Sequence, residues 1–449
     1  YLEYSRTIFF LGDMASETMT TKSDASADNQ DLNNWKVGNF KTNGSLENFF
    51  KYAFIGVNRA NAVIKKVPDA GFSQEQKDLF LGEAYFLRAW NYFNLVRNFG
   101  LVPLHKSVVE TVDQTSTALA PDMDAMYDLI LSDCRRAAEL LPVYETPKIG
   151  RADRVAAQAL AAKAYLYVAS AKEHGVKLYR DMHRDATVMY DSAAYFAGEV
   201  IENQSVYGFE SSLLDIYDVE KARGKEHIFI MAMDRSGSSE GQYSKISKMF
   251  IPYIDGATLY LKQGDKDEYI PTHDGWGEYQ TTVAFYNTFD ASDKRKTELI
   301  VDKVYKADGT LLGEYPGKIP YPFCRKYIDP KFEGDKTSTR PFLLRFSDVA
   351  LIYAEAAGPT AKAYELVNFI RSRAGLGDMK PNLGKDEFRR EILKERTFEL
   401  AFEGDHVYDL RRWNRITIDV PEAAELSEDQ VTFYPIPQAE INLNGSLRP

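Results

Sequence analysis

The sequence predicts a mainly α-helical protein with an irregular, loop-rich lobe that carries short strands. Several long stretches repeat apolar residues at helical spacing, and some of them are rich in alanine and tyrosine. Between them lies the segment Val206–Arg345, rich in Gly, Pro, Asp and Tyr, which holds only short strand-like runs. Hydrophobic residues make up 44% and charged residues 27% of the chain, which is ordinary for a globular protein.

The helices follow from apolar periodicity and from their stop signals. In Leu79–Val96 nearly every side of the predicted helix is apolar, which indicates a buried helix, and Gly100 and Pro103 end it. The predicted helices are Phe49–Lys66, Gln74–Asn98, Met123–Leu141, Asp153–Ala171, Asp185–Asn203, Phe346–Ala357 and Thr360–Ala374. Alanine and tyrosine at helical spacing suggest degenerate tetratricopeptide-like pairs, because small residues let neighbouring helices approach closely.

The loops are expected in two places. Residues 13–48 are polar and read as a long loop with one large aromatic residue, Trp35. The lobe contains strand-like pieces at His227–Met233 and Leu299–Tyr305. We therefore predict one domain over 1–449, with a helical scaffold mainly at 49–205 and 345–415. The ligand lobe would comprise about 206–344 together with the loop 13–48, since a rigid scaffold commonly positions functional loops.

Charge and motif content exclude several classes of protein. The net charge of −11 repels phosphate backbones, so no nucleic-acid partner is expected. Six scattered histidines and two distant cysteines, Cys134 and Cys324, form neither a zinc motif nor a disulfide framework. No nucleotide, hydrolase or metalloprotease motif is found, so we expect no cofactor and no bound metal. The acidic run Asp265, Asp267 and Glu268 fits a solvated turn better than a cation site.

No apolar run is long enough to span a membrane, and the chain does not start with a basic, then apolar, leader. Either the protein is cytosolic or a leader has been removed.

Three glutamates, Glu395, Glu399 and Glu403, are spaced four residues apart on one predicted helix face. Like charges at this spacing destabilise a helix unless nearby cations pair with them. A glycosidase-type carboxylate pair is one interpretation. We favour a structural ion-pair network that includes Arg396 and the buried Arg88, and we expect Arg88 to pair with one of the three glutamates.

Six segments in order resemble the SusD/RagB family of nutrient-binding outer-membrane lipoproteins of Bacteroidetes. The two most specific are Gly82–Gly100 with Val102–Leu104, and Ile392–Gly404 with Asp409–Trp413. The others are Asn58–Asn61, Arg345–Ala356, Asn368–Gly375 and Tyr434–Pro437. The resemblance covers nearly the whole chain from about residue 49.

The resemblance implies a SusD-like fold, with four tetratricopeptide-like helix pairs and a loop-rich ligand lobe. It also implies a non-catalytic glycan-binding protein at the surface of the outer membrane. Such a protein hands oligosaccharide to a TonB-dependent, SusC-like transporter. A lipid anchor on an N-terminal Cys would hold it to the membrane, and that Cys is absent from this chain.

Candidate ligand residues follow from the chemistry of sugars, which stack on aromatic rings and hydrogen-bond to polar neighbours. Trp35 leads because Asn33, Asn34 and Lys36 flank it, although it could equally plug its loop onto the scaffold. Tyr253, Asp255 and Tyr260 come second. Trp276 lies in Asp274–Gly277, a turn that resembles a recurring family feature. For Trp276 we therefore favour a structural role over ligand binding.

Three alternatives remain open at this point. The same scaffold could take peptides or another nutrient. A tetratricopeptide protein–protein adaptor would bind partners in a concave helical groove. A glycosidase would use two of the three helix glutamates.

Overall fold

The computed structural model describes residues 7–202, 206–221, 223–237, 242–264 and 266–447. The chain divides into two compact units. The first unit is Tyr1–Asn33 with Tyr207–Val407, and the second is Asn34–Val206 with Tyr408–Pro449. This division does not follow the predicted boundary between scaffold and lobe, because the three helices between residues 346 and 399 share a unit with the lobe. The single domain over 1–449 stays a prediction.

Long helices build the second unit. Each packs against the next along the chain. They are Gly44–Lys66, Gln74–Phe99, Met123–Leu140, Arg154–Glu173 and Ala186–Glu202, and they are followed later by the short helices Ile416–Asp419, Glu428–Val431 and Gln438–Leu443. The predicted bounds agree with these within a few residues, and Asn203, the last residue of one predicted helix, lies outside the described residues.

Side-chain caps explain where these helices begin. The Asn43 side chain accepts hydrogen bonds from Ser45 N and Leu46 N, which would otherwise lack partners in the first turn. Ser73 and Gln76 form a reciprocal capping box at Gln74–Phe99. The helix Arg154–Glu173 is buried along most of its length, and its alanines allow this close packing on all sides.

The first unit combines helices with short strands. Its three longest helices are Phe346–Ala357, Ala361–Arg373 and Lys385–Glu399, and the first of them packs against the other two. Shorter helices are Ala27–Asn33, Leu213–Ile216, Ile246–Phe250, Val283–Thr288 and Lys294–Leu299. The helix His406–Arg412 contains the third and last boundary between the units along the chain.

Short antiparallel strands organise the lobe. A four-stranded sheet has the order Tyr269–Thr272, Leu259–Lys262, Lys303–Tyr305, Leu311–Glu314. Two-stranded sheets pair His227–Ile230 with Phe342–Arg345, Ile300–Val301 with Phe323–Cys324, and Met19–Thr21 with Tyr279–Thr281. One face of the larger sheet packs on a buried cluster that includes Ile251, Ile319 and Phe323. Both predicted strand regions therefore contain strands, although shorter ones.

The expectation of a plain loop over 13–48 is wrong. This segment contains the strand Met19–Thr21, the helix Ala27–Asn33 and the 3₁₀ helix Val37–Thr42. The strand is held by a partner about 260 residues away, Tyr279–Thr281, which a local sequence pattern does not reveal.

The predicted class, mainly helical with short strands, is confirmed. The tetratricopeptide-like pairing stays a prediction. Within the described residues, no helix is both long enough and apolar enough to cross a membrane.

Candidate functional site

We call Glu395, Glu399 and Glu403 the glutamate ladder, and each of them binds a buried cation of the first unit. Glu399 Oε1 lies 3.0 Å from Arg345 Nη1 and 2.7 Å from Arg373 Nη2. Glu403 lies 2.6 Å from Arg345 Nε and 2.7 Å from Lys326 Nζ. The side chains of Glu399, Glu403 and their three partners are almost wholly excluded from solvent. They form a buried ion-pair network of the kind that the sequence favoured.

The remaining members extend this network. Glu395 Oε1 lies 2.5 Å from Arg295 Nη1, and Arg295 also binds Asp293 at 2.7 Å. Arg396 instead pairs with Asp348 at 2.8 Å. The helix ends at Glu399 and Glu403 lies in the bend that follows, so the expectation of three glutamates on one helix face is wrong for Glu403. Glu395 and Glu399 tie the helix Lys385–Glu399 to its neighbours in the first unit.

The glycosidase interpretation finds little support in this geometry. Burial alone would raise the pKa of Glu399, but the charges of Arg373 and Arg345 outweigh it and hold that pKa well below its usual range. A general acid needs the opposite shift. A cavity lined by Tyr217, Lys326 and other residues has a volume of about 20 Å³, enough for about one water molecule and far too small for a sugar ring.

The expected partner of Arg88 is wrong. Arg88 Nε and Nη2 donate to the two carboxylate oxygens of Asp133 at 2.7 and 2.8 Å, and Nη1 donates to Asn61 at 2.7 Å. This bidentate pair joins the helices Gln74–Phe99 and Met123–Leu140. Asp133 is the buried acid of the helix Met123–Leu140, and no pattern in the sequence around it marks it as the partner of Arg88.

The leading ligand candidate, Trp35, is also corrected. Its side chain is only 3% exposed. The ring stacks on Tyr434 at 6.3 Å between centroids and lies 6.2 Å from Phe40. Trp35 therefore packs its segment into the second unit, as the alternative interpretation of the sequence holds. Its buried ring offers no face on which a sugar could stack. The polar residues Asn34 and Lys36 on either side of Trp35 are exposed, so the local sequence indicates a solvent-facing segment although the Trp35 ring is buried.

Tyr253 stands at the surface of the first unit, with 70% of its area exposed. The next residues form a tight turn in which Ala257 N donates to Ile254 O at 3.0 Å. Asp255 and Gly256 have φ of 56° and 68°, the left-handed values that Asp-Gly adopts in such turns. Asp255 is exposed and lies 3.3 Å from Lys318 Nζ. The turn thus displays an aromatic ring and a carboxylate together.

The turn Asp274–Gly277 is bonded to this same segment. Gly256 N donates to Asp274 Oδ2 at 2.9 Å, and Gly275 N donates to Pro252 O at 3.0 Å. Only glycine fits at 275, since a Cβ there would lie 1.8 Å from Ile251 O. Trp276 N donates to Lys248 O at 2.7 Å, and the Trp276 side chain is 37% exposed. Tyr253 and Trp276 are therefore displayed on adjoining turns.

Two lysines that the sequence did not single out border the Trp276 ring. Lys245 Nζ lies 5.5 Å and Lys248 Nζ 5.8 Å from its centroid, within cation–π range. Their spacing of three residues at the helix Ile246–Phe250 is visible in the sequence, but their meeting with Trp276 is not. We call Tyr253, Asp255, Trp276, Lys245 and Lys248 the Trp276 surface.

Tyr260 lies outside this surface, on the four-stranded sheet. It pairs across the strands with Pro271 and Tyr305, while its neighbours Leu259 and Leu261 point into the buried cluster. Tyr260 is half-buried on the opposite face, where Tyr269 and Tyr305 also lie with ring centroids 5.0 Å apart. This face offers a second group of aromatic rings.

No group of three or more potential metal ligands is found in the described part of the chain. In the acidic run considered above, Asp265 lies outside the described residues, and Asp267 is exposed with its carboxylate 3.4 Å from Lys262 Nζ.

Two family models match the chain. Residues 302–428 match the model described as the SusD family. Residues 6–166 match a model described as starch-binding and associating with the outer membrane. These regions contain parts of both units.

Known proteins resemble the chain over most of its length. SusD-like protein P2 of Formosa agariphila is 26% identical, and the alignment covers 94% of this chain and 82% of that protein. A SusD superfamily protein from Parabacteroides distasonis superposes with a TM-score of 0.80 at 21% identity, over 98% of this chain and 92% of that one. A laminarin-binding SusD-like protein gives 0.78 at 23% identity, over 98% and 93%.

Proposed function

Because the chain belongs to the SusD/RagB family, we propose that it is a non-catalytic glycan-binding protein of the outer-membrane surface. It captures oligosaccharide at the Trp276 surface and delivers it to a SusC-like, TonB-dependent transporter. A lipid anchor attaches it to the membrane. Family membership supports the outer-membrane setting, since one matching model carries that description.

The binding site rests on one observation. Trp276 and Tyr253 are exposed on adjoining turns whose backbones are hydrogen-bonded to each other. Rigid turns lower the entropy that binding costs, and exposed rings offer stacking area to the C–H faces of sugars. Asp255 supplies a carboxylate to accept hydrogen bonds from sugar hydroxyls. Tyr260, with its neighbouring tyrosines, would contact a longer chain on the sheet face.

Calorimetry with defined oligosaccharides tests this function. Laminari-oligosaccharides and malto-oligosaccharides are the first ligands to use, because one structural neighbour binds laminarin and one family model is described as starch-binding. We expect Trp276→Ala and Tyr253→Ala each to weaken binding of the preferred glycan by about tenfold, the effect of losing a stacked ring. Thermal unfolding should be unchanged in both variants.

A matched control is available in Tyr195→Ala. Tyr195 is 62% exposed on a helix of the second unit and should leave glycan affinity unchanged. If no oligosaccharide binds but short peptides do, the glycan proposal fails in favour of a peptide receptor. Equal losses in Tyr195→Ala and Tyr253→Ala would refute the assignment of the site.

The transporter partnership needs its own test. The full lipidated chain, captured by an affinity tag from detergent-solubilised outer membranes, should bring down a TonB-dependent transporter in near-equal amount. Capture of the chain alone under the same conditions would contradict delivery through such a partner.

A further inference from the structure

Positive charge concentrates around two aromatic rings of the first unit. Lys245 Nζ lies within cation–π range of both Trp276, at 5.5 Å, and Tyr243, at 5.7 Å. Lys248 Nζ is 5.8 Å from the Trp276 ring, and Lys336 Nζ is 5.2 Å from the Tyr243 ring. Three ammonium groups thus surround two rings that lie partly in solvent.

The nearby acids do not cancel this charge. Asp335 lies 2.9 Å from Lys248 Nζ and 3.7 Å from Lys245 Nζ, so it is shared between them. Asp274 is 4.0 Å from Lys248 and also accepts a backbone hydrogen bond from Gly256. Among the described residues, no carboxylate lies within 4.0 Å of the Lys336 ammonium. Around these two rings three cations therefore face two anions, and the further carboxylate of the Trp276 surface, Asp255, is paired with Lys318 at 3.3 Å.

This excess stands out against the rest of the chain, whose net charge is −11. A packing role alone would need only the aliphatic stems of the lysines, with the ammonium groups directed away into water. Here the ammonium groups approach the faces of the rings instead. The Lys245 and Lys248 side chains are only 24% and 12% exposed, so an anion bound there is screened less than at an open surface.

A neutral sugar needs rings and hydrogen-bond partners but gains little from ammonium groups. An acidic sugar stacked on Trp276 can place its charged substituent against Lys245, while Lys336 beside Tyr243 adds attraction at longer range. Charge-assisted hydrogen bonds of this kind are roughly twice as strong as neutral ones. The two kinds of group together, ring and ammonium, therefore favour acidic glycans.

We propose that the Trp276 surface, with Tyr243 and Lys336 beside it, selects glycans that carry a carboxylate or a sulfate group. This inference rests on the proposed function, since it names the class of glycan that the same site takes. Uronic acids and sulfate esters both present a negatively charged group to the lysines, and the experiment distinguishes the two kinds of glycan.

The test uses two matched pairs of ligands and calorimetry on the whole chain. One pair is a glucuronic-acid-bearing xylo-oligosaccharide and its carboxyl-reduced form, and the other is a sulfated laminari-oligosaccharide and its unsulfated form. We expect the acidic member of at least one pair to bind about fivefold or more tightly than its neutral partner at low salt. The ratio should fall toward one at about 0.5 M NaCl.

Variants locate the effect. In Lys245→Gln with Lys336→Gln the ratio of the affinity for the acidic ligand to the affinity for its neutral partner should fall to about one. Lys362→Gln is the control, because Lys362 is exposed on the helix Ala361–Arg373 and pairs with Glu365. It should leave the preference intact.

The outcomes separate this inference from the proposed function. If neutral and acidic members bind equally and Trp276→Ala weakens both, glycan binding stands and acidic selectivity is refuted. If the preference survives in the double lysine variant, the location is refuted. If no saccharide of either kind binds, both proposals fall.

Discussion

Arg345 and Glu403 form a fully buried ion pair, with Arg345 Nε 2.6 Å from a carboxylate oxygen of Glu403. The second oxygen of Glu403 accepts from Arg345 Nη2, from Lys326 Nζ and from the Tyr217 hydroxyl. Both oxygens thus accept hydrogen bonds from within the protein. Glu403, one of the candidate catalytic carboxylates of the sequence, thus joins the end of the strand Phe342–Arg345 to the turns that contain Lys326 and Tyr217.

Glu403→Gln should destabilise the protein strongly, because it removes the carboxylate that pairs with the buried Lys326 and one of the carboxylates that pair with Arg345. We expect a loss of about 3–5 kcal/mol in the free energy of unfolding. Glu365→Gln, which removes an exposed partner of Lys362, should cost less than about 1 kcal/mol. Chemical unfolding of the two variants beside the parent measures both. Similar small losses would show that the network adds little to stability.

Trp35→Ala should lower stability and leave ligand binding alone. Its ring is buried against Tyr434 and Phe40, so truncation should cost about 3–5 kcal/mol. Tyr253→Ala should do the reverse, with unfolding within about 0.5 kcal/mol of the parent and weaker glycan binding. Measuring melting and calorimetry on both variants decides this. Weakened binding in a stable Trp35→Ala protein would restore Trp35 as a ligand residue.

Arg88 should couple energetically to Asp133 and not to the ladder. In a double-mutant cycle, Arg88→Met with Asp133→Leu should give an interaction energy of about 2 kcal/mol or more, since the pair is bidentate and buried. The cycle of Arg88→Met with Glu399→Gln should be additive within about 0.5 kcal/mol. A larger coupling in the second cycle than in the first would contradict the observed pairing.

Asp13 gives the stability of the first unit a specific pH dependence. Its carboxylate accepts from Gly404 N at 2.7 Å, and burial raises the pKa of Asp13 from 3.8 to about 7. Between these values the unfolded chain loses the proton while the folded chain keeps it. The contribution of Asp13 to stability is therefore present below about pH 4 and is lost as pH rises to about 7.

Asp13→Asn removes this titration while keeping an acceptor for Gly404 N. The free energy of unfolding of the parent minus that of Asp13→Asn should fall by an amount on the order of 4 kcal/mol from pH 4 to pH 7. Chemical unfolding at several pH values gives the two curves. Curves that run parallel across this range would refute the shifted titration.

The sequence predicted the long helices well because their signals are local. The all-round apolar stretch in Gln74–Phe99 and its capping residues fix burial and bounds within a few residues. The short elements of 13–48 escaped prediction, since Met19–Thr21 becomes a strand only through its pairing with Tyr279–Thr281. Such long-range pairing leaves no periodic trace in the chain.

The candidate site was only partly predictable. Tyr253 stands in a predicted loop as a ligand candidate, and for Trp276 the sequence favours a structural role ahead of binding; the structure exposes both side chains. The prediction of Trp35 as a ligand residue was wrong because its polar neighbours suggested an exposed ring, whereas the ring packs on Tyr434 in the second unit. Lys245 and Lys248 could not be assigned to Trp276, which follows them by about thirty residues. Only the fold brings these groups together.

Intrinsic fluorescence tests the binding surface most directly. Of the four tryptophans, Trp35, Trp90 and Trp413 are buried, and Trp276 alone is more than a third exposed. Titration with a glycan that binds by calorimetry should therefore shift the emission to shorter wavelength as the sugar covers Trp276. In Trp276→Phe, which keeps a ring for stacking, binding should persist while the shift disappears. A shift of the same size in Trp276→Phe would contradict glycan binding at the Trp276 surface.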